Sequence, residues 1–411
     1  MGVDGSGGSL NKVFEVAEAG VRGGLFLFTG NTVATVFLAF GSIVIARLLG
    51  PDGYGLYSVC LIVPGFLLLF GDFGVNSALV KYLAQFRVEN EKIRVASFVR
   101  SGFLFKLLVG FLLFLVCFLF SDFFALYVLR RPGIGFLIRL VSLLIVAQVL
   151  FSTCNSVFVG LDRMELSAAT SVAEAVVKVV LAPLLIVLGF GVVGALVGHM
   201  VSYVVAGLLG VLVVYRVYRE YSNPGLRFSF FEDLRFMFRF GFPLYFSAVL
   251  LSFLGQFRSM VLAWFASDFE IGNYMVASNF LSLLGVLAVP ISTALFPAFS
   301  KFDLNSEKGE LGRFFRFSLR YILLVIVPVS VLVALVSRDL VYFVYGPQYS
   351  LAPFYLTLLV LTYLYMGFSL VVGSFFNGVG RTDVSFRVGL VNCFVEIPLG
   401  LLLTMFLVFW G

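Results

Sequence analysis

Charge is what this chain of 411 residues has least of: Asp, Glu, Lys and Arg together make up 12%, about half the share usual in soluble domains. There is one histidine, His199, and there are four cysteines, Cys60, Cys117, Cys154 and Cys393. No two cysteines form a CxxC, so neither a metal set nor a disulfide framework is expected, and the four read as packing residues. Walker-type phosphate loops, HExxH and GxGD are missing, as is an acidic DxD-like motif in an outer loop. ATP hydrolysis, intramembrane proteolysis and sugar transfer are therefore not expected. The chain reads as a non-enzyme without cofactor or metal.

What fills the sequence is apolar. Hydrophobic residues make up 61% and the mean hydropathy is +1.08. A globule in water could not hide that much apolar side chain, so the solvent is lipid. Disorder, nucleic-acid binding and a secreted scaffold are excluded at the same step.

A span needs about 20 mostly apolar residues. Eleven are expected, at 24–46, 56–78, 101–120, 136–161, 166–188, 192–215, 240–266, 271–296, 314–337, 353–380 and 388–409. Residues 1–23 are not expected to form a cleavable leader, since the apolar run that follows, 24–46, is a full span. Leu10, Val13, Phe14 and Ala17 share one helical face there, which predicts an interfacial helix. Residues 24–215 then make a first lobe of six helices, 216–239 a linker on the cytoplasmic surface, and 240–411 a second lobe of five. With the N-terminus in the cytoplasm, 20 of the 28 Lys and Arg fall on the cytoplasmic side and 5 outside. That bias predicts a multi-pass cell-membrane protein with a cytoplasmic N-terminus.

The halves correspond. Shifted by 217, Ala46, Gly55 and Tyr57 fall on Ala263, Gly272 and Tyr274, and Asp122 falls on Asp339. Shifted by 218, Phe158, Gly160, Arg163 and Ser167 fall on Phe376, Gly378, Arg381 and Ser385. Six spans per unit is an even number, so both units enter the membrane in the same direction. The expected fold is an all-α polytopic protein of two helix bundles, related by a pseudo-two-fold axis along the membrane normal, with a central cavity. The sixth span maps past residue 411. The second bundle is therefore expected to lack its last helix, or to receive it from a partner.

The segment "ARLLGPDGYG" (46–55) followed by "LYSV" resembles the junction of the first two spans in polysaccharide and lipid-linked-oligosaccharide flippases. These belong to the multidrug/oligosaccharidyl-lipid/polysaccharide exporter superfamily. "GDFGVNSALVKYLA" (71–84), "GLDRM" (160–164) and "NGVGRTDVS" (377–385) are similar to later landmarks of that family. The resemblance implies two six-helix lobes around a cavity. It also implies a substrate, a sugar chain on a polyprenyl phosphate or diphosphate moved from the cytoplasmic to the outer leaflet.

Polar residues inside spans cost about 2.5–3.5 kcal/mol each on insertion scales, so each is a functional candidate. Lys178 has Glu174 one turn earlier, and the two can pair on one face. Glu396 stands 218 residues after Lys178, at the equivalent place in the second unit with opposite sign. Arg258, beside Gln256, carries a guanidinium fork suited to phosphate. Lys178, Arg258, Glu174 and Glu396 are thus the expected substrate-cavity residues. Asp72 is the candidate for ion coupling, to a proton or sodium ion. Arg22 and Arg47 flank the first span and are candidates for the cavity mouths. Lys106, near a span end, is expected to snorkel to the interface. The expected function is flipping by alternating access, with membrane lipid and a lipid-linked glycan as partners. The alternatives are a cation-coupled multidrug exporter on the same fold and a non-transporting scaffold subunit.

Overall fold

The computed structural model describes residues 5–221, 229–301 and 308–381, and scattered positions between 384 and 398. Helices account for nearly all of it. In chain order they are α1 (Gly5–Leu68), α2 (Val75–Val88), α3 (Lys92–Leu119), α4 (Ser121–Phe123), α5 (Gly135–Val141), α6 (Leu143–Gly160) and α7 (Met164–Leu185). There follow α8 (Gly191–Tyr221), α9 (Phe230–Phe265), α10 (Asp268–Phe299), α11 (Lys308–Leu335), α12 (Ser337–Val344) and α13 (Ala352–Gly378).

Among the described residues, seven helical stretches are long and apolar enough to cross a membrane. The chain is a multi-pass membrane protein. The 28 residues of α3 reach about 42 Å, more than the ~30 Å of hydrocarbon. One face of α3 leaves Leu108, Phe111, Leu112 and Leu119 exposed, as lipid requires. The stretch Gly23–Leu68, at 46 residues, is long enough for two crossings. It turns at Gly50, where φ is 69° and ψ is 176°. Pro51 forces its predecessor out of the helical region, and the positive φ leaves glycine as the residue without strain. A second long stretch, Met164–Tyr221, turns between Gly189 and Gly191.

The expected second span, 56–78, is not continuous. Its helix stops at Leu68 and resumes at Val75, with the intervening backbone unwound. The expected linker, 216–239, is helical at both ends, since α8 runs to Tyr221 and α9 begins at Phe230. The three described cysteines, Cys60, Cys117 and Cys154, are buried. Cys393 lies outside the described residues, as does most of the expected eleventh span.

The chain forms two compact units, residues 1–45 with 60–253, and residues 46–59 with 254–411. In the first unit a core of Leu79, Leu83, Phe86, Phe98, Val157, Phe158 and Met237 ties together α2, α3, α6 and α9. There Asp233 near the start of α9 accepts bonds from the hydroxyls of Ser97 and Ser101 on α3, each at 2.6 Å. In the second unit Ile322 and Ile326 of α11 pack with Tyr363 and Val371 of α13.

Segment 46–59 belongs to that second unit for specific reasons. The buried Tyr349 hydroxyl donates to the Ala46 carbonyl at 2.7 Å. The amide of Asn279 donates to the Tyr54 hydroxyl at 3.0 Å. Asn273, fully buried, accepts from the N–H groups of Leu351 and Ala352 at 3.0 and 2.9 Å. It also donates to the Phe269 carbonyl at 2.8 Å. Its side chain so completes the start of α13, whose first N–H groups have no partner within the helix.

Candidate functional site

The first polar centre lies at the unwound part of the second span. Phe73 and Gly74 have positive φ, 50° and 81°, which ends one helix and starts the next. Asp72 accepts from the Asn76 N–H at 3.1 Å, an acceptor placed at the N-terminus of α2. Lys106 reaches in from α3. Its Nζ lies 2.8 Å from the Gly71 carbonyl and 2.9 Å from Asp72 Oδ1. The Lys106 side chain is 2% exposed and that of Asp72 31%.

This corrects the expectation that Lys106 snorkels. The lysine turns inward because a carboxylate and a free carbonyl wait there, and a buried ammonium is held only where such partners exist. From α9, the Tyr245 hydroxyl donates to the Leu69 carbonyl at 2.7 Å, and its ring meets Phe73 at 5.4 Å. Gly74 and Gly241 touch backbone to backbone. A Cβ on either would fall 2.1 Å from the other's backbone.

The second centre lies between α7 and α8. Glu174 is buried and accepts from the Ser202 hydroxyl at 3.3 Å. Lys178, one turn on, is half-buried and lies within electrostatic reach of both Glu174 and His199. His199 stacks on Tyr203 with 5.6 Å between ring centroids. One to two turns before Glu174 on α7, Ser167 and Thr170 donate to Asn155 of α6 at 3.1 and 3.0 Å. The Glu174–Lys178 spacing seen in the sequence thus sits within a wider set of hydroxyls and an imidazole that spacing alone does not reveal.

The remaining site residues are dispersed. Arg258 is exposed on α9. Arg47 donates from Nε to the Val344 carbonyl at 2.6 Å and from Nη2 to the Phe343 carbonyl. It so satisfies the last carbonyls of α12, a favoured place for a cation. Arg22 lies on α1, and its side chain is outside the described residues, as is Glu396. Sequence reasoning missed Tyr245, which carries no intramembrane charge to draw attention. It also missed Lys106 as a site residue, because a lysine near a span end has an easier destination in water.

A family model described as "Polysaccharide biosynthesis protein" matches residues 21–303. The chain belongs to that family. The MatE family model matches 243–402 as well. Among relatives in this family's reach, the lipopolysaccharide biosynthesis protein WzxC of Escherichia coli is 24% identical over 363 residues, which cover 86% of this chain and 69% of the relative. The succinoglycan biosynthesis transport protein ExoT of Rhizobium meliloti is 28% identical over 266 residues, 64% of this chain and 50% of the relative. Among solved structures, the lipid II flippase MurJ in an inward closed conformation aligns with a TM-score of 0.69 at 16% identity, covering 92% of this chain and 82% of that one. An inward-facing multidrug-resistance MATE transporter aligns at 0.64 with 18% identity, covering 88% and 87%. These likenesses establish the fold of the multidrug/oligosaccharidyl-lipid/polysaccharide exporter superfamily.

Proposed function

We propose that this chain is a flippase which moves a polyprenyl-phosphate- or diphosphate-linked oligosaccharide from the cytoplasmic to the outer leaflet, for surface polysaccharide assembly. Membership in the polysaccharide biosynthesis family carries the reading. The names of the relatives and the MurJ fold support it. The chain sits in the cell membrane with its N-terminus in the cytoplasm, as the distribution of Lys and Arg indicates.

The physical task is to pass an anionic, hydrated head group through hydrocarbon while its tail stays in lipid. An isolated charge faces a barrier on the order of tens of kcal/mol. Fixed cations along a wet path lower it. Lys178 and Arg258 are the cations of this reading, and Glu174 and Glu396 set the local balance of charge. An outward-moving anion also gains about 2.3 kcal/mol per charge per 100 mV from a membrane potential that is negative inside. A proton or sodium gradient is the other available source.

The deciding experiment is flipping of a lipid-linked sugar by the purified chain in vesicles. Wild type should flip, and Lys178→Ala, Glu396→Ala and Arg258→Ala should each slow it. If both Lys178→Ala and Glu396→Ala run at the wild-type rate, the roles given to those two residues are wrong. Export of cationic dyes without any flipping would favour the multidrug alternative, for which the MatE match is the motive.

A further inference from the structure

Unwound spans serve transporters as cation sites. The carbonyls left by a broken helix, with a nearby carboxylate, take the place of water around Na⁺ or a proton. The break between α1 and α2 has those parts. The Gly71 carbonyl and Asp72 Oδ1 face one point, which lies at the C-terminal, electronegative end of a helix. That point is taken by Lys106 Nζ, on a side chain buried to 2% exposure. Three elements close around it. They are α3, which supplies the lysine, α9, which supplies Tyr245, and α6, whose Ser152 accepts from the Asn76 amide at 3.4 Å. Among the described residues, Lys106 and Tyr245 are the titratable groups that face Asp72 from these neighbours.

We propose that Lys106 is the resident cation of this broken span, a tethered ammonium in a site whose chemistry suits a small monovalent cation or a free alkylammonium. Tethering removes dependence on ion concentration, because the ligand never leaves. Asp72, which by sequence is the coupling candidate, is then committed to the lysine and binds no exchangeable ion. Lys106 acts as a positioning residue that holds the two half-helices in register. The inference rests on the transport reading only in its second test.

The first test needs no transport. Thermal unfolding of the purified protein in lipid is followed in NaCl, n-propylammonium chloride and choline chloride at equal ionic strength. Wild type should unfold at the same temperature in all three. Lys106→Ala removes Cγ through Nζ, the atoms of propylammonium, so its midpoint should fall by several degrees. It should recover saturably in propylammonium or Na⁺ but not in choline, which is too large. Adding Asp72→Asn should abolish the recovery. Lys106→Met, which fills the stem and leaves only the place of Nζ, serves if the alanine variant does not fold, and its recovery is expected in Na⁺ alone. No cation-specific recovery in either variant would overturn the proposal. So would a Na⁺-dependent wild-type midpoint that Asp72→Asn removes.

The second test compares wild-type flipping in Na⁺ and in choline, where equal rates are expected and a Na⁺ requirement lost in Asp72→Asn would overturn it. Absence of flipping in every salt would sink the proposed function, while the unfolding experiment would still decide the role of Lys106.

Discussion

Gly55 and Gly272 hold each other's helices at a distance no side chain could share. A Cβ on Gly55 would fall 1.9 Å from the Asp268 carbonyl oxygen, and a Cβ on Gly272 would fall 2.0 Å from the Pro51 carbonyl oxygen. The two contacts are reciprocal in sequence as well, since Pro51 and Gly55 become Asp268 and Gly272 on adding 217. When residue i meets j and the partner's i meets j in return, the contact has the form of a two-fold interface.

Gly55→Ala and Gly272→Ala should each destabilise the protein by about 1–3 kcal/mol, the usual cost of overpacking. Because both relieve or worsen one approach, the double variant should cost less than the sum. Unfolding midpoints of the three variants check this. Strict additivity would show that the two glycines do not share a contact.

Asn273 is expected to be intolerant of an apolar replacement. Asn273→Leu strands the N–H of Leu351, at about 1–3 kcal/mol, and leaves that of Ala352 only its 3.3 Å bond to the Tyr349 carbonyl. Asn273→Asp keeps the acceptor but loses the bond donated to the Phe269 carbonyl, so it should retain only part of the stability. Hydrogen exchange at the first turn of α13 should accelerate in the leucine variant and much less in the aspartate one.

Arg47 is predicted to act on α12 before it acts on any substrate. Arg47→Gln loses the charged hydrogen bonds to the Phe343 and Val344 carbonyls, a class worth about 1.5–3 kcal/mol each. Faster exchange over residues 340–349 with little change across α7 and α8 is the expected pattern. Unchanged exchange there, with flipping abolished, would instead favour a role at a cavity mouth.

Arg258 should respond to the shape of its charge. If its guanidinium engages a phosphate, Arg258→Lys keeps the charge but loses the fork, so flipping should fall with lysine and fall further with alanine. Equal, wild-type rates for both would remove Arg258 from the substrate path.

The sequence determined by itself that this is a helical membrane protein, where most spans lie, and which family landmarks it carries. Those are composition and periodicity, and lipid enforces them directly. Among the described residues, the expected spans other than the second fall on helices, because a run of apolar residues in hydrocarbon has to satisfy its backbone internally. Tertiary structure alone decided the fate of particular side chains. Nothing near Lys106 in the sequence shows that it turns from the interface to a carboxylate 34 positions earlier. Gly71, Asp72 and Gly74 are turn-forming types, but a hydropathy count runs the span straight through them. Such outcomes depend on what neighbouring helices offer across space. A hydroxyl from Tyr245 and an ammonium from Lys106 reward an unwound backbone that in plain lipid would be prohibitively costly.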